Sequence, residues 1–286
     1  MKTAAFTLYE PKTRGSAVVF SSPHSGADYP AAMIEAAILD PLTLRSSEDA
    51  FVDQLFLPAI LHGSPLLAAC APRAYVDLNR AADELDPALV ENAPKNALNP
   101  RIAAGLGVIP RVVAGGRAIY RGKIPAYAAE SRLNQHWHPY HQMLKRLLTQ
   151  NRAIFGQTVL LDCHSMPHEA LSGVIRQGGN RPDVVLGDRF GASAARIVTD
   201  AVEDAFTKQG FRVARNAPFA GGYITQTYGK PSRGHHAVQI EIDRALYMDE
   251  SKVEKSADFG AFQQAMALVI ADLARIDPQE WALAAE

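Results

Sequence analysis

Residues 158–167 read "TVLLDCHSMP". A short run rich in branched apolar side chains reads as a buried strand. A buried strand has no need to end in an acid, a thiol, an imidazole and a hydroxyl. The same ending occurs far upstream, where "AVVFSSPHSG" (17–26) runs into His24 and Ser25. A third run, "HAVQIEIDR" (236–244), carries Glu241. If these three runs are parallel neighbours, two imidazoles and a carboxylate meet at one sheet edge. Open α/β sheets bind their ligands there, beyond the carboxyl ends of the strands.

Short β-rich runs alternate with helical patterns around this frame. "EDAFVDQLFLPAIL" (48–61) has helical apolar spacing behind Ser46 and Ser47, either of which is a candidate cap. "SPLLAACAPRAYVDLNR" (64–80) holds one or two short strands, and a long helical pattern covers Pro125 to Asn151. "DVVLG" (183–187) reads as a strand and "GASAARIVTDAVEDAFTKQG" (191–210) as an amphipathic helix ended by glycine. "FRVARN", "GYITQTYG" and "HAVQIEID" follow as β candidates, and a helix closes the chain across Lys255 to Ile276. Ala81 to Gly116, rich in Pro, Asn and Gly, reads as a long irregular excursion, and such loops are often functional. The alternation predicts an α/β fold with a mixed, mostly parallel central sheet and helices on both faces. No composition shift marks a boundary, so a single domain over 1–286 is expected.

The chain has 286 residues, 48% of them hydrophobic, and a formal net charge of −1. That balance offers no basic stripe for nucleic acid and no polybasic segment for a membrane surface. No apolar run is long enough to span a bilayer and the N-terminus is not a secretory signal. Two cysteines, Cys70 and Cys163, give no disulfide framework. The expectation is a cytoplasmic protein acting on a small molecule, with oligomeric state open.

His24, His164 and a carboxylate make most of a catalytic zinc site, which needs three protein ligands, one open position and a nearby base. Either Asp28, four residues past His24, or Asp49 could supply the third ligand. Glu241 in an apolar strand would be costly if unpartnered, so a functional partner explains it better than packing does. A structural ion pair with Arg244 is the plainer alternative.

Together "SSPHSGADYP", "SEDAFVDQLF", "YVDLNR", "LDCHSMP" and "QIEIDRALYMDE", in this order, closely resemble the N-formylglutamate amidohydrolase (deformylase) family. The resemblance spans about Val18 to Glu250 and includes "PYH" (139–141) and "GGYITQTYG" (221–229). It implies a fold like that of the zinc carboxypeptidases (phosphorylase/hydrolase-like). It also implies zinc-dependent hydrolysis of N-formyl-L-glutamate to formate and L-glutamate, the last step of a histidine-degradation route. His24 and His164 match the family's metal histidines, and Asp49 is favoured over Asp28 as third ligand. Glu241 is expected as general base. Asn79 and Arg80 resemble the Asn-Arg pair with which zinc carboxypeptidases hold a substrate carboxylate. Arg73 is expected to polarise the formyl oxygen or hold the other carboxylate, with Arg121 and Arg244 as further candidates. Tyr223, after Gly221 and Gly222, reads either as a mobile polar lid or as part of a hairpin turn. The same chemistry on another N-acyl amino acid is the nearest alternative, and a non-catalytic amino-acid or metal-binding protein a more distant one.

Other features point less far. His136, His138 and His141 are expected to be structural or substrate-shaping, since Pro139 interrupts their spacing. Cys163 should face away from His164, because strand neighbours alternate. Asp243 is expected off the site, on the opposite side of its strand.

Overall fold

The computed structural model describes residues 4–94, 99–173 and 181–277. Its strands are β1 (Phe6–Tyr9), β2 (Val18–Ser22), β3 (Leu66–Ala69), the short hairpin β4 (Val112–Val113) and β5 (Arg117–Ala118), β6 (Thr158–Met166), β7 (Val184–Gly187), β8 (Val213–Arg215), β9 (His235–Asp243) and the short pair β10 (Met248–Asp249) and β11 (Glu254–Lys255). Seven of them form one sheet in the order β1-β3-β2-β6-β9-β7-β8. β3, β2, β6 and β9 are parallel, β1 runs against β3, and β7 runs against β9 with β8 parallel to it. The sheet is therefore mixed and mostly parallel, and the three runs that end in chemistry are adjacent parallel strands at its centre.

Alternation along the strands sorts their side chains between two cores. Val18, Phe20, Val159, Leu161, Cys163, Val238, Ile240 and Ile242 pack on one face with helices α3 (Val52–Phe56), α7 (Arg196–Thr207) and α9 (Phe259–Leu273). Val19, Leu67, Leu160 and Ala237 face the other way, onto Tyr140, Leu144, Leu147 and Leu148 of α6 (His138–Phe155). Among the described residues no helix is long and apolar enough to cross a membrane.

The helix over 125–151 is present but not uniform. α5 (Ala126–Arg132) passes through a π-helical stretch, Leu133–Trp137, into α6. Pro139 at the second position of α6 has no N–H to continue the ladder, and the wider turn accommodates it. The remaining helices are α1 (Ala31–Ala36), α2 (Pro41–Arg45), α4 (Pro100–Ala103) and α8 (Tyr223–Tyr228).

Two local expectations are corrected. "GYITQTYG" is helix α8, not a strand, because the Asn79 side chain reaches it from elsewhere in the chain and accepts from Ile224 N at 2.8 Å. Ser46 and Ser47 do not cap α3. Ser46 ends α2, and Ser47 Oγ accepts from Ala114 N at 3.0 Å. α3 instead starts behind Phe51, held in the left-handed region at φ 66°.

Candidate active site

The face that carries α6 changes character toward the carboxyl end of the parallel strands. Leu160 pairs with Ala237, then Asp162 with Gln239, then His164 with Glu241. Packing gives way to ionisable groups over two rungs of one ladder. His24 lies just beyond β2, and its carbonyl accepts from Asp49 N at 3.0 Å. That bond ties the loop before α3 to the same edge.

Both imidazoles turn Nδ1 toward one carboxylate oxygen. Asp49 Oδ2 stands 3.0 Å from His164 Nδ1 and 3.5 Å from His24 Nδ1. Each Nε2 faces a separate outer acid, Asp77 Oδ1 at 2.8 Å for His24 and Asp162 Oδ2 at 3.0 Å for His164. All five side chains are buried. A metal-binding histidine usually donates its far N–H to a carboxylate, which fixes the tautomer that leaves the near nitrogen free.

The donor set suits a divalent cation. The inner ligand atoms of His24, Asp49 and His164 lie within 4.8 Å of one another, and His24 Nδ1 is buried with no hydrogen-bond partner. Their 3.0 and 3.5 Å spacings bracket the edge of about 3.3 Å expected of a tetrahedron with bonds of about 2.0 Å. Burial works to raise the Asp49 carboxyl, but hydrogen bonding to His164 and His24 wins and holds it well below the usual carboxylate range. Burial disfavours a charged His164, yet the Asp162 carboxylate outweighs it and raises the imidazole well above its ordinary value. The surroundings therefore favour positive charge at this point. Asp28 is exposed and lines a different recess with Cys70 and Asp53. Nor is Asp49 a first-turn helix acid, the place Asp53 takes in α3.

His24, Asp77 and His164 line a cleft of about 680 Å³. Glu241 lines it, with Oε1 accepting from Gln239 Nε2 at 2.7 Å. Burial pushes its carboxyl up to about 7, against the opposing charge of His164. Arg73 lines the cleft with Nε donating to Asp77 Oδ2 at 3.1 Å. Arg244 also lines it, but donates to Asp49 Oδ1 (3.0 Å), Ser165 Oγ (3.1 Å) and Ser46 O (3.2 Å), so most of its fork is already occupied.

Asn79 is likewise engaged, with Nδ2 3.2 Å from His164 Nε2 and Oδ1 holding Ile224 N. Arg80 is 8% exposed and donates through Nε to Leu106 O at 3.0 Å. Tyr223 does not line the cleft; its ring packs beside Trp137 and His141. Arg121 is exposed and lies off the cleft lining.

Cys163 is buried in the opposite core, away from His164. Asp243 is off the cleft, but not by alternation, since it shares the face of Glu241. The strand ends there, and Asp243 pairs with His168 Nδ1 at 2.7 Å. His136 rests against Tyr75, and His141 is held by Tyr228 Oη (2.9 Å) and Leu78 O (2.9 Å).

Sequence reasoning missed the two outer acids and Arg101, which also lines the cleft. Asp162 was findable, because it sits two residues before His164 and so on the same strand face.

A mixed sheet that brings a buried His-Asp-His cluster and a nearby carboxylate to its carboxyl edge has the groups a metal-assisted hydrolase needs. Residues 16–248 match the family model described as N-formylglutamate amidohydrolase. A relative from Pseudomonas aeruginosa, named N-formylglutamate deformylase, is 31% identical over 82% of each chain. One from Pseudomonas putida with the same name is 30% identical over 82% of this chain and 83% of its own. The crystal structure of an N-formylglutamate amidohydrolase from Ralstonia eutropha JMP134 superposes with a TM-score of 0.89 at 33% identity, covering 98% of this chain and 100% of that one. The chain belongs to the N-formylglutamate amidohydrolase family and is a hydrolase acting on an amide.

Proposed function

We propose that the enzyme hydrolyses N-formyl-L-glutamate to formate and L-glutamate, with a divalent cation, zinc by its ligand chemistry, held by His24, Asp49 and His164. The observation that carries the reading is the convergence of both Nδ1 atoms on Asp49 Oδ2 one strand away from Glu241. The relatives' shared name supports the substrate. A cation bound there supplies a Lewis acid for the formamide oxygen and lowers the pKa of water.

The chain's own residues do the rest. Glu241 takes the proton of the attacking water and returns it to the departing amine, which two successive transfers at one carboxylate allow. Arg73, neutralised on one side by Asp77, turns its remaining N–H groups to the cleft, where they stabilise the developing oxyanion. Arg80 holds a substrate carboxylate with the planar fork suited to it. Asn79 and Arg244 act indirectly, by fixing His164 and Asp49. A single catalytic domain working in the cytoplasm at the end of histidine degradation completes the reading.

The test is formate release from N-formyl-L-glutamate before and after a chelator strips metal. Activity lost on stripping and restored by zinc is expected. No formate from metal-replete protein would overturn the substrate.

A further inference from the structure

Four arginines line the cleft: Arg73, Arg80, Arg101 and Arg244. Two are neutralised by the protein itself, Arg73 by Asp77 at 3.1 Å and Arg244 by Asp49 at 3.0 Å. For Arg80 and Arg101 no side-chain ion pair forms among the described residues. The nearby acids turn their oxygens to other donors. Glu84 accepts from Ala81 N (3.0 Å) and Asn99 Nδ2 (3.1 Å), and Asp86 from Ala88 N (2.7 Å) and Arg111 Nε (2.8 Å). Burial lowers the Arg80 pKa, the Asp77 charge works against it, and the like charges of Arg73 and Arg101 add to the lowering, so Arg80 and Arg101 stand close enough to oppose one another. Two like charges with no direct ion pair on a cavity wall favour an anion from outside.

The segment bearing Arg101 is held in place. Val108 N donates to Glu84 O at 2.8 Å, Asp77 N to Val108 O at 2.8 Å, and Arg111 Nη2 to Ala103 O at 3.3 Å. A side chain at Gly107 would meet Glu84 O at 2.5 Å, so the two arms of the excursion are in backbone contact. Within it Asn99 Oδ1 accepts from Arg101 N at 3.0 Å, which sets the start of α4.

We infer that Arg101 is the residue that selects an acidic side chain, gripping the distal carboxylate of the substrate while Arg80 grips the carboxylate next to the scissile amide. Depth assigns the two. Arg80 is buried and adjacent to Asn79, which touches His164, whereas Arg101 is exposed at the rim. The α-carboxylate sits on the carbon bearing the formamide and must lie deep, and the side-chain carboxylate extends toward the rim. Two arginines without a direct ion pair among the described residues then match the two carboxylates. The inference rests on the proposed reading of the cleft as an N-acyl amino acid site.

The test compares N-formyl-L-glutamate with the isosteric, neutral N-formyl-L-glutamine, and separately titrates the metal-loaded enzyme with L-glutamate and L-glutamine by calorimetry. In Arg101→Gln the preference for glutamate over glutamine falls about 10- to 100-fold, the range for losing a charge-assisted pair. It falls through KM, with a smaller loss for N-formyl-L-glutamine, whose carboxamide oxygen accepts without charge, and Arg101→Lys keeps part of the preference. An unaltered preference in Arg101→Gln, or a wild-type protein that binds glutamate no tighter than glutamine, overturns the inference. Absence of formate from the wild type together with an Arg101-dependent preference in the titration would overturn the reaction and leave the binding role standing.

Discussion

At the scale of single residues, the site is a contest between burial and pairing. Asp49, Asp77 and Asp162 are all but removed from water and each faces an imidazole or guanidinium, and for Asp49 and Asp77 that pairing overcomes burial and holds the carboxyl well below the usual range. Glu241 is the exception. It accepts from the neutral amide of Gln239, and burial raises its carboxyl to about 7. A carboxylate placed to gain and lose a proton near neutrality suits a base that must also act as an acid. Glu241→Gln is expected to cut kcat about 10²- to 10⁴-fold while metal content, read by atomic absorption, stays the same. Metal lost along with activity would make Glu241 a ligand instead. Arg244 shows how a residue can line the cleft and still act inward, since it leaves Asp49 Oδ2 as the one oxygen turned toward both histidines.

At the scale of elements, the central strands were legible, while their junctions, the edge strand β1 and the β4–β5 hairpin were not. β2, β6 and β9 announce themselves by branched apolar runs, and the histidines at their ends followed from the rule that ligands bind at that edge. α8 was hidden, because Ile, Thr and Tyr favour strands and the group that satisfies its first turn is Asn79, distant by 145 residues. Nothing local could reveal it. Asp49 was separable from Asp28 only weakly for the same reason: the Asp49 N to His24 O bond that sets its position is a tertiary contact. Arg101 stood in a stretch where the sequence shows no periodicity at all. The α8 junction also carries a prediction. A side chain at Gly222 would meet the Asn79 amide at 2.5 Å, so Gly222→Ala should cost about 1–3 kcal/mol, read as a lower urea midpoint. An unchanged midpoint would show that Asn79 yields freely and does not fix the helix.

For the whole molecule, stability must depend on pH through groups remote from the cleft chemistry. Burial pushes His141 down to about 4, against an ordinary value near 6.5. As pH falls the unfolded chain takes up this proton first. The contribution is therefore complete above about pH 6.5, erodes below it and is gone once pH passes about 4, a loss on the order of 3 kcal/mol. Urea unfolding at pH 7 and pH 4.5 should show a smaller drop for His141→Gln than for wild type, and equal drops would remove His141 from the account. The sheet has a further consequence. β6 and β9 face one another along nine rungs, with Glu241 and Gln239 on one side and Ile240 and Ile242 on the other. A slip of a single rung would turn the isoleucines to the cleft and drive the acid into oil. Zipping the sheet correctly and arming the catalyst are thus one event, so the folding reaction proofreads the active site, and a refolded sample's recovered activity counts its correctly zipped molecules.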